Sequence, residues 1–178
     1  MTGIEDIDKV IKESKENAAL FDTPEQSRAK TRAMRILGSR QLSSGDIERR
    51  LTDKGESAEI ARETVAWLED IGALDDKEYA AAIARHYQSK GYGLAHIKNE
   101  LYKRGIRREE WDEAISALDE ADADEAAFRF LDKKLVGSHD KNDVRRATDA
   151  LCRRGFRYED AHSIVSRYLE SIENTEET

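Results

Sequence analysis

The sequence contains a single proline, a single cysteine and no long apolar run. One proline in 178 residues is typical of a helical globular chain and not of a proline-rich disordered one. The lone Cys152 cannot form an internal disulfide, and the acidic amino terminus lacks the apolar core of a secretory signal. No stretch approaches the roughly 20 apolar residues that are needed to span a bilayer. We therefore expect a cytosolic protein without a membrane segment.

The sequence also lacks the usual signatures of metal sites, cofactor sites and catalytic centres. No phosphate loop, nucleophile elbow or dinucleotide fingerprint is present, and no histidine pairs with a cysteine or another histidine at zinc spacing. Asp75 is most simply a helix cap, and the acidic run 119–125 most simply solvates a junction and the start of a helix. Cys152 beside Arg153 and Arg154 is most simply a half-buried cysteine. We expect no metal, no cofactor and no enzymatic activity.

Charge is abundant but unevenly distributed. The chain is 38% charged and 38% hydrophobic, which favours several thin cores over a single large one. The formal net charge is −8. Residues 1–28 hold seven acids against four bases, and residues 173–178 add three more acids. The remaining body is therefore nearly neutral, and local basic patches on it are possible although bulk acidity opposes nucleic-acid binding.

A repeat of 50 residues runs through the body of the chain. The segments 47–68, 97–118 and 147–168 align without a gap, and a leucine and a glycine recur at the same spacing in each. A basic residue precedes each glycine. The repeated positions are Leu51, Leu101 and Leu151; Lys54, Arg104 and Arg154; Gly55, Gly105 and Gly155; and Glu59, Glu109 and Glu159. Each glycine is expected to end a helix in the left-handed conformation, which only glycine enters without a steric penalty.

Each glycine turn joins two predicted helices, and another amphipathic run lies before each such pair. Each repeat is therefore predicted to contain three helices. Ser43 or Ser44 and Ser57 are the expected N-caps, and Asp75 with Glu78 is the expected capping box. Gly72, Gly91 and Gly137 are the expected helix stops. The predicted helices are 26–40, 44–54, 58–71, 76–90, 94–104, 108–120, 122–136, 140–154 and 158–172.

The fold class that follows is all-α, with three tandem three-helix repeats that form an elongated, curved array. A module of this size buries little apolar area alone, so neighbouring modules should stack. We expect a monomer. The predicted organisation is an acidic extension over 1–28, repeats over 29–73, 74–121 and 122–172, and an acidic tail over 173–178.

Basic residues at the second and third glycine turns are the candidate binding surface. If these turns line one side of the array, they would present a discontinuous basic ridge to acidic side chains or phosphates. The alternative is purely structural, because cations in a last helical turn interact favourably with the helix dipole. The candidate partner-binding residues are Arg85, Lys90, Lys103, Arg104, Arg107, Arg108, Arg153, Arg154 and Arg157.

Four strings of the sequence resemble the RecX family. GALDDKEYA at 72–80 and KGYGLAHIKNELYKRGI at 90–106 lie in the second repeat and are the most specific. LCRRGFRYEDA at 151–161 and RILGSRQLSSGDIERRLTDKG at 35–55 are similar to the same family. The resemblance covers about 29–172.

This resemblance implies a regulator without catalytic residues, which acts in DNA repair and the SOS response. It would bind the groove of the RecA filament on DNA, bridge neighbouring protomers, and suppress strand exchange, ATP hydrolysis and co-protease action. Weak contact with single-stranded or duplex DNA is also implied.

Two other functions are open from the residues alone. A direct DNA-binding helical module is the first, but the helices after the glycine turns begin with acids such as Glu59 and Glu109, which phosphates would repel. A helical-repeat adaptor for another protein partner is the second.

Overall fold

The computed structural model describes residues 22–38, 40–135 and 141–176, with side chains to residue 173. All regular secondary structure in these ranges is helical, which confirms the predicted all-α class. The helices are α1 (Pro24–Leu37), α2 (Ser44–Asp53), α3 (Ala58–Asp70), α4 (Asp76–Ser89), α5 (Leu94–Lys103), α6 (Arg108–Ser116), α7 (Glu120–Asp132), α8 (Lys141–Arg153) and α9 (Tyr158–Glu176).

Most of the predicted helix ends are confirmed. The hydroxyl oxygens of Ser43 and Ser57 accept backbone N–H groups at the starts of α2 and α3, over 3.1 and 3.2 Å. Gly72 and Gly91 follow α3 and α4 with φ of +67° and +72°. The stop predicted at Gly137 lies outside the described residues. The capping box of Asp75 and Glu78 stays a prediction.

Four helices differ from their predicted limits by two or more residues. Helix α7 covers 120–132 instead of 122–136, and α9 continues to Glu176, into the predicted acidic tail, instead of ending at 172. Helix α1 begins at Pro24, two residues early, because Thr23 and Gln26 form a capping box around that proline. Residues 24–28, which the sequence assigned to the acidic extension, are therefore helical. Helix α6 ends at Ser116 instead of 120, because Asp119 caps the start of α7 through the N–H of Ala121.

The three repeated glycines adopt the left-handed conformation that the sequence predicted. Their φ angles are +90° at Gly55, +67° at Gly105 and +92° at Gly155. The residue after each glycine donates its N–H to the carbonyl of the repeated leucine, over 3.1 Å at Leu51, 3.3 Å at Leu101 and 3.2 Å at Leu151. These bonds satisfy carbonyls that the helix ends leave free, so the same sharp turn follows α2, α5 and α8.

Three hydrophobic cores hold the helices together, one for each consecutive group of three. The repeated leucines at 51, 101 and 151 have no exposed surface and lie within the three cores. Trp67 packs against the first core and Trp111 against the second. We refer to α1–α3, α4–α6 and α7–α9 as the first, second and third groups. The residue limits predicted for the repeats stay a prediction.

The chain divides into two compact units between Asp75 and Asp76. One unit contains the first group of helices, and the other contains the second and third groups. None of the described helices is long and apolar enough to cross a membrane.

Candidate interaction surface at the glycine turns

At the first glycine turn, the buried carboxylate of Glu56 binds two arginines of α1. The Glu56 side chain is only 2% exposed and accepts hydrogen bonds from Arg28 over 3.2 Å and from Arg32 over 2.6 Å. Arg32 also donates to the carbonyl of Lys54, over 3.1 Å. The hydrogen bond from Arg28 outweighs the effect of burial and lowers the pKa of Glu56. The turn is thus tied to α1, while the Lys54 side chain is exposed.

At the second turn, Arg104 is engaged inside its own group. Its guanidinium donates to the Glu100 carboxylate over 2.5 Å, to the Glu100 carbonyl over 3.0 Å and to the Tyr87 hydroxyl over 3.4 Å. The Tyr87 hydroxyl in turn donates to Glu100 over 2.9 Å. The hydrogen bond from Arg104 is the main cause that lowers the pKa of Glu100 to about 2, against the effect of burial. Burial opposes the charge on Arg104, but its bonds to Glu100 and Tyr87 raise its pKa.

At the third turn, Arg154 reaches out of its own group. Its guanidinium donates to the carbonyls of Gly91 over 2.8 Å and Lys90 over 2.5 Å, just after α4 ends. The same guanidinium lies 4.0 Å from the ring centroid of Tyr92 and 4.2 Å from that of Phe130. Arg154 therefore joins α8 to the second group and to α7 by hydrogen bonds and cation–π contacts.

The backbone of the third turn also contacts the start of α5. Gly93 donates its N–H to the Arg154 carbonyl over 2.9 Å, and Ala95 donates to the Gly155 carbonyl over 3.1 Å. A Cβ on Gly93 would lie 2.4 Å from the Gly155 backbone, and one on Gly155 would lie 2.5 Å from the N atom of His96. The two glycines thus allow two backbones to approach closely. We call the contacts of Arg154 and Gly155 with residues 90–96 and Phe130 the turn junction.

The nine predicted binding residues therefore fall into two classes. Arg104 and Arg154 are partly buried and make internal contacts. The other seven are exposed. Among them, Lys103 pairs with Glu100 over 3.0 Å, and Arg107 and Arg157 pair with nearby glutamates over 3.7 Å. The exposed members are Arg85, Lys90, Lys103, Arg107, Arg108, Arg153 and Arg157.

The sequence did not predict the roles of Tyr92, Gly93 and Phe130. The sequence predicts Gly91 only as a helix stop, whereas the backbone of Gly91 and Gly93 forms hydrogen bonds with Arg154 at the third glycine turn. The available signal was the pair of glycines around an aromatic residue, which allows both close backbone approach and a cation–π contact.

A groove of about 840 Å³ lies beside the turn junction, within the second unit. Its lining includes Leu94, which is 50% exposed, together with Phe156 and Arg157. The lining also includes Asp124 and Arg167, which form an ion pair. The lining therefore mixes apolar surface with both signs of charge.

No cluster of three or more histidine, cysteine, aspartate or glutamate side chains that could hold a metal occurs among the described residues. The ring of His96 stacks on Tyr92 at 4.1 Å between centroids, beside the turn junction. Cys152 is half-buried, and its thiol is not in a disulfide.

These features define an all-helical protein made of three-helix groups with exposed basic residues at its turns. The family model described as "RecX, second three-helix domain" matches residues 75–115, which correspond closely to α4–α6. Regulatory protein RecX of Xanthomonas axonopodis pv. citri is 36% identical over 128 residues, which are 70% of this chain and 78% of that protein. Regulatory protein RecX of Stenotrophomonas maltophilia is 32% identical over 135 residues, which are 75% of this chain and 82% of that protein. The chain belongs to the RecX family of regulatory proteins.

Solved structures show the same fold. The crystal structure of RecX from Lactobacillus salivarius matches with a TM-score of 0.73 at 19% identity, over 84% of this chain and 97% of that one. A second crystal structure of a regulatory protein RecX matches with a TM-score of 0.72 at 20% identity, over 86% and 78% of the two chains.

Proposed function

We propose that the protein binds the RecA filament on DNA and inhibits strand exchange, ATP hydrolysis and co-protease activity. It would act in the cytoplasm as a monomer, by binding and without catalysis of its own, during DNA repair and the SOS response. The observation that carries this proposal is membership of the RecX family, by alignments that extend over 78% and 82% of the lengths of two curated relatives.

The exposed turn cations are the proposed contact residues. Arg107 and Arg108 follow the second turn, and Arg153 and Arg157 flank the third, with their side chains in solvent. Charged groups of this kind direct association and select partners more than they supply bulk affinity. Arg104 is not included, because its guanidinium is held by Glu100 and Tyr87.

The acids around these cations favour a filament over naked DNA as the partner. Glu109 and Glu159 are exposed one or two residues from Arg107, Arg108 and Arg157. A duplex laid along the turns would therefore meet carboxylates as well as cations, which opposes tight phosphate binding. A filament presents protein surface as well as DNA, so it can match both signs of charge.

The first experiment is a titration of this protein into RecA that is hydrolysing ATP on single-stranded DNA at physiological salt. Inhibition at or below one protein per RecA protomer is the expected result. Filaments sedimented from the same mixtures should carry the protein with them. If hydrolysis is unchanged and nothing co-sediments, filament regulation is excluded, and the adaptor function is favoured instead. Tight binding to naked duplex DNA at the same salt would favour the DNA-binding module.

The second experiment reverses four exposed charges. Replacing Arg107, Arg108, Arg153 and Arg157 by Glu should weaken filament binding by about 2 kcal/mol, or roughly thirtyfold, at about 0.5 kcal/mol for each exposed contact. Circular dichroism should be unchanged, because these side chains are exposed.

A matched control makes the same charge change at exposed cations of the first unit. Its sites are Arg35, Arg40, Lys54 and Arg62, each replaced by Glu. Equal loss of binding in both variants would show an effect of net charge only, and would reject the turn surface as the contact.

A further inference from the structure

We propose that Arg154 is a positioning residue, which fixes the second and third groups of helices as one body so that cations of both groups meet the partner together. This inference rests on the proposed function and assigns to one of its predicted contact residues a different role.

The contacts of Arg154 are those of a structural clamp. Both hydrogen-bond acceptors, at Lys90 and Gly91, are main-chain carbonyls, and no carboxylate pairs with this arginine among the described residues. The guanidinium lies over the ring of Tyr92 and the ring of Phe130, at 4.0 and 4.2 Å from their centroids. A planar fork with several donors can make all of these contacts at once, whereas a lysine ammonium cannot.

The backbone bonds of the turn junction act in the same direction. The N–H groups of Gly93 and Ala95 are at the start of α5, where backbone N–H groups have no carbonyl partner within the helix. Gly93 has no side chain to cap the helix, and carbonyls of residues 154 and 155 accept these two N–H groups instead. The end of α8 therefore caps α5, which couples the third group to the second.

The junction brings cations of two groups together. Lys90 belongs to the second group, and its carbonyl is bound by Arg154 while its side chain is exposed. Arg153 and Arg157 belong to the third group and lie within three residues of Arg154 in the chain, with exposed side chains. Without the clamp, fewer contacts would hold the second and third groups together, and the spacing between these cations would be less fixed. A partner would then lose the advantage of linked contacts.

The test separates position from charge by two conservative substitutions. Arg154→Lys keeps the charge and removes the forked hydrogen bonds, whereas Arg145→Lys is the matched control at an exposed residue of α8 that is not among the proposed contacts. Arg154→Lys should weaken filament binding at least about tenfold, as expected when linked contacts are uncoupled. Arg145→Lys should stay within about twofold, because an exposed cation outside the proposed contacts is replaced by another cation. Arg153→Glu should weaken binding, because a contact residue depends on its charge.

Hydrogen exchange reports on the junction without any partner. In Arg154→Lys, the amides of Gly93 and Ala95 should exchange faster, while those of Ile97 and Leu101 within α5 should be unchanged. Tyr92→Phe keeps the ring and should preserve both protection and binding. Tyr92→Ala should reduce both. If Arg154→Lys loses helicity, the Tyr92 pair supplies the same test with no change of charge.

The outcomes distinguish the two proposals. If the wild-type protein does not bind filaments, the proposed function fails, and the hydrogen exchange data alone decide whether the clamp exists. If amides at 93 and 95 stay protected in Arg154→Lys and in Tyr92→Ala, the clamp is rejected. If those amides open while the variants bind filaments as the wild type does, the positioning role is rejected.

Discussion

Alanine substitutions at three glycines should separate backbone strain from steric contact at the turns. Gly55 and Gly155 have almost the same φ, +90° and +92°. Nothing lies within 4 Å of a Cβ at Gly55, whereas a Cβ at Gly155 would lie 2.5 Å from the His96 N atom. Gly93 is the complement, with an ordinary φ of −79° and a Cβ position 2.4 Å from the Gly155 backbone.

The expected magnitudes follow from these differences. Gly55→Ala should cost about 1–2 kcal/mol, the penalty of a left-handed residue with a side chain. Gly93→Ala should cost roughly 1–3 kcal/mol, because the clash is with backbone that can move only by opening the junction. Gly155→Ala combines the left-handed penalty with a backbone clash and should cost about 2–5 kcal/mol. The double variant with Gly93→Ala and Gly155→Ala should lose less unfolding free energy than the two single variants together. Either substitution alone already opens the turn junction, so the second has fewer contacts left to break.

The assay is urea unfolding followed by tryptophan fluorescence, since each unit contains one of the two tryptophans. Trp67 reports on the first unit and Trp111 on the second, and single-tryptophan backgrounds allow each transition to be fitted separately. Gly55→Ala should shift only the Trp67 transition, and the other two only the Trp111 transition. Equal losses of unfolding free energy in Gly55→Ala and Gly155→Ala would refute the argument, because the turn junction would then contribute nothing in solution.

Two further predictions concern pH. The pKa of Glu100 is lowered from 4.5 to about 2, so its contribution to stability is complete above pH 4.5 and is lost as the pH falls towards 2. Glu100→Gln should therefore show a smaller fall in the unfolding free energy of the second unit over this range, and parallel curves for variant and wild type would contradict the ion pair. Burial and the hydrogen bond to Asp132 raise the pKa of Tyr168 from 10.0 to about 12, so its contribution is complete below pH 10 and is lost as the pH rises towards 12. Alkaline difference absorbance should show a late-titrating component that is missing in Tyr168→Phe; if the wild type and Tyr168→Phe give curves of the same shape, the buried contact is absent.

Local patterns predicted most of the helices, because helix ends and glycine turns depend on residues that are close together in the chain. A leucine four residues before a glycine is sufficient to indicate a buried helix end and a left-handed turn, and both were found at Leu51 and Gly55 and at their counterparts. The predicted start of α1 is two residues late, because the acidic composition of residues 1–28 favours an extension, whereas the capping box of Thr23 and Gln26 begins the helix at Pro24. That signal was available in the sequence.

The candidate site was less predictable, because its main contact joins residues far apart in the chain. Arg154 contacts Gly91 and Lys90, which are 63 and 64 residues away. Periodicity describes which residues share a helix face, but it does not describe which turn meets which helix start. The charge pattern placed basic residues at the turns, but it could not separate the exposed cations from Arg104 and Arg154, which make internal contacts.

The position before the repeated glycine shows how the sequence alone could have separated them. Arg104 has an acid four residues earlier, Glu100, and a basic residue with such a neighbour on a helix pairs locally. The residue four before Arg154 is Ala150, which is 8% exposed and offers no charge. The residue four before Lys54 is Arg50, which would repel it. An arginine at a helix end without a local acid must find acceptors elsewhere or stay in solvent, and two carbonyls beside a GYG string were available to Arg154. Basic residues at equivalent turns therefore need not have the same role. The residue one helical turn earlier determines whether the cation has a local acid with which it can pair.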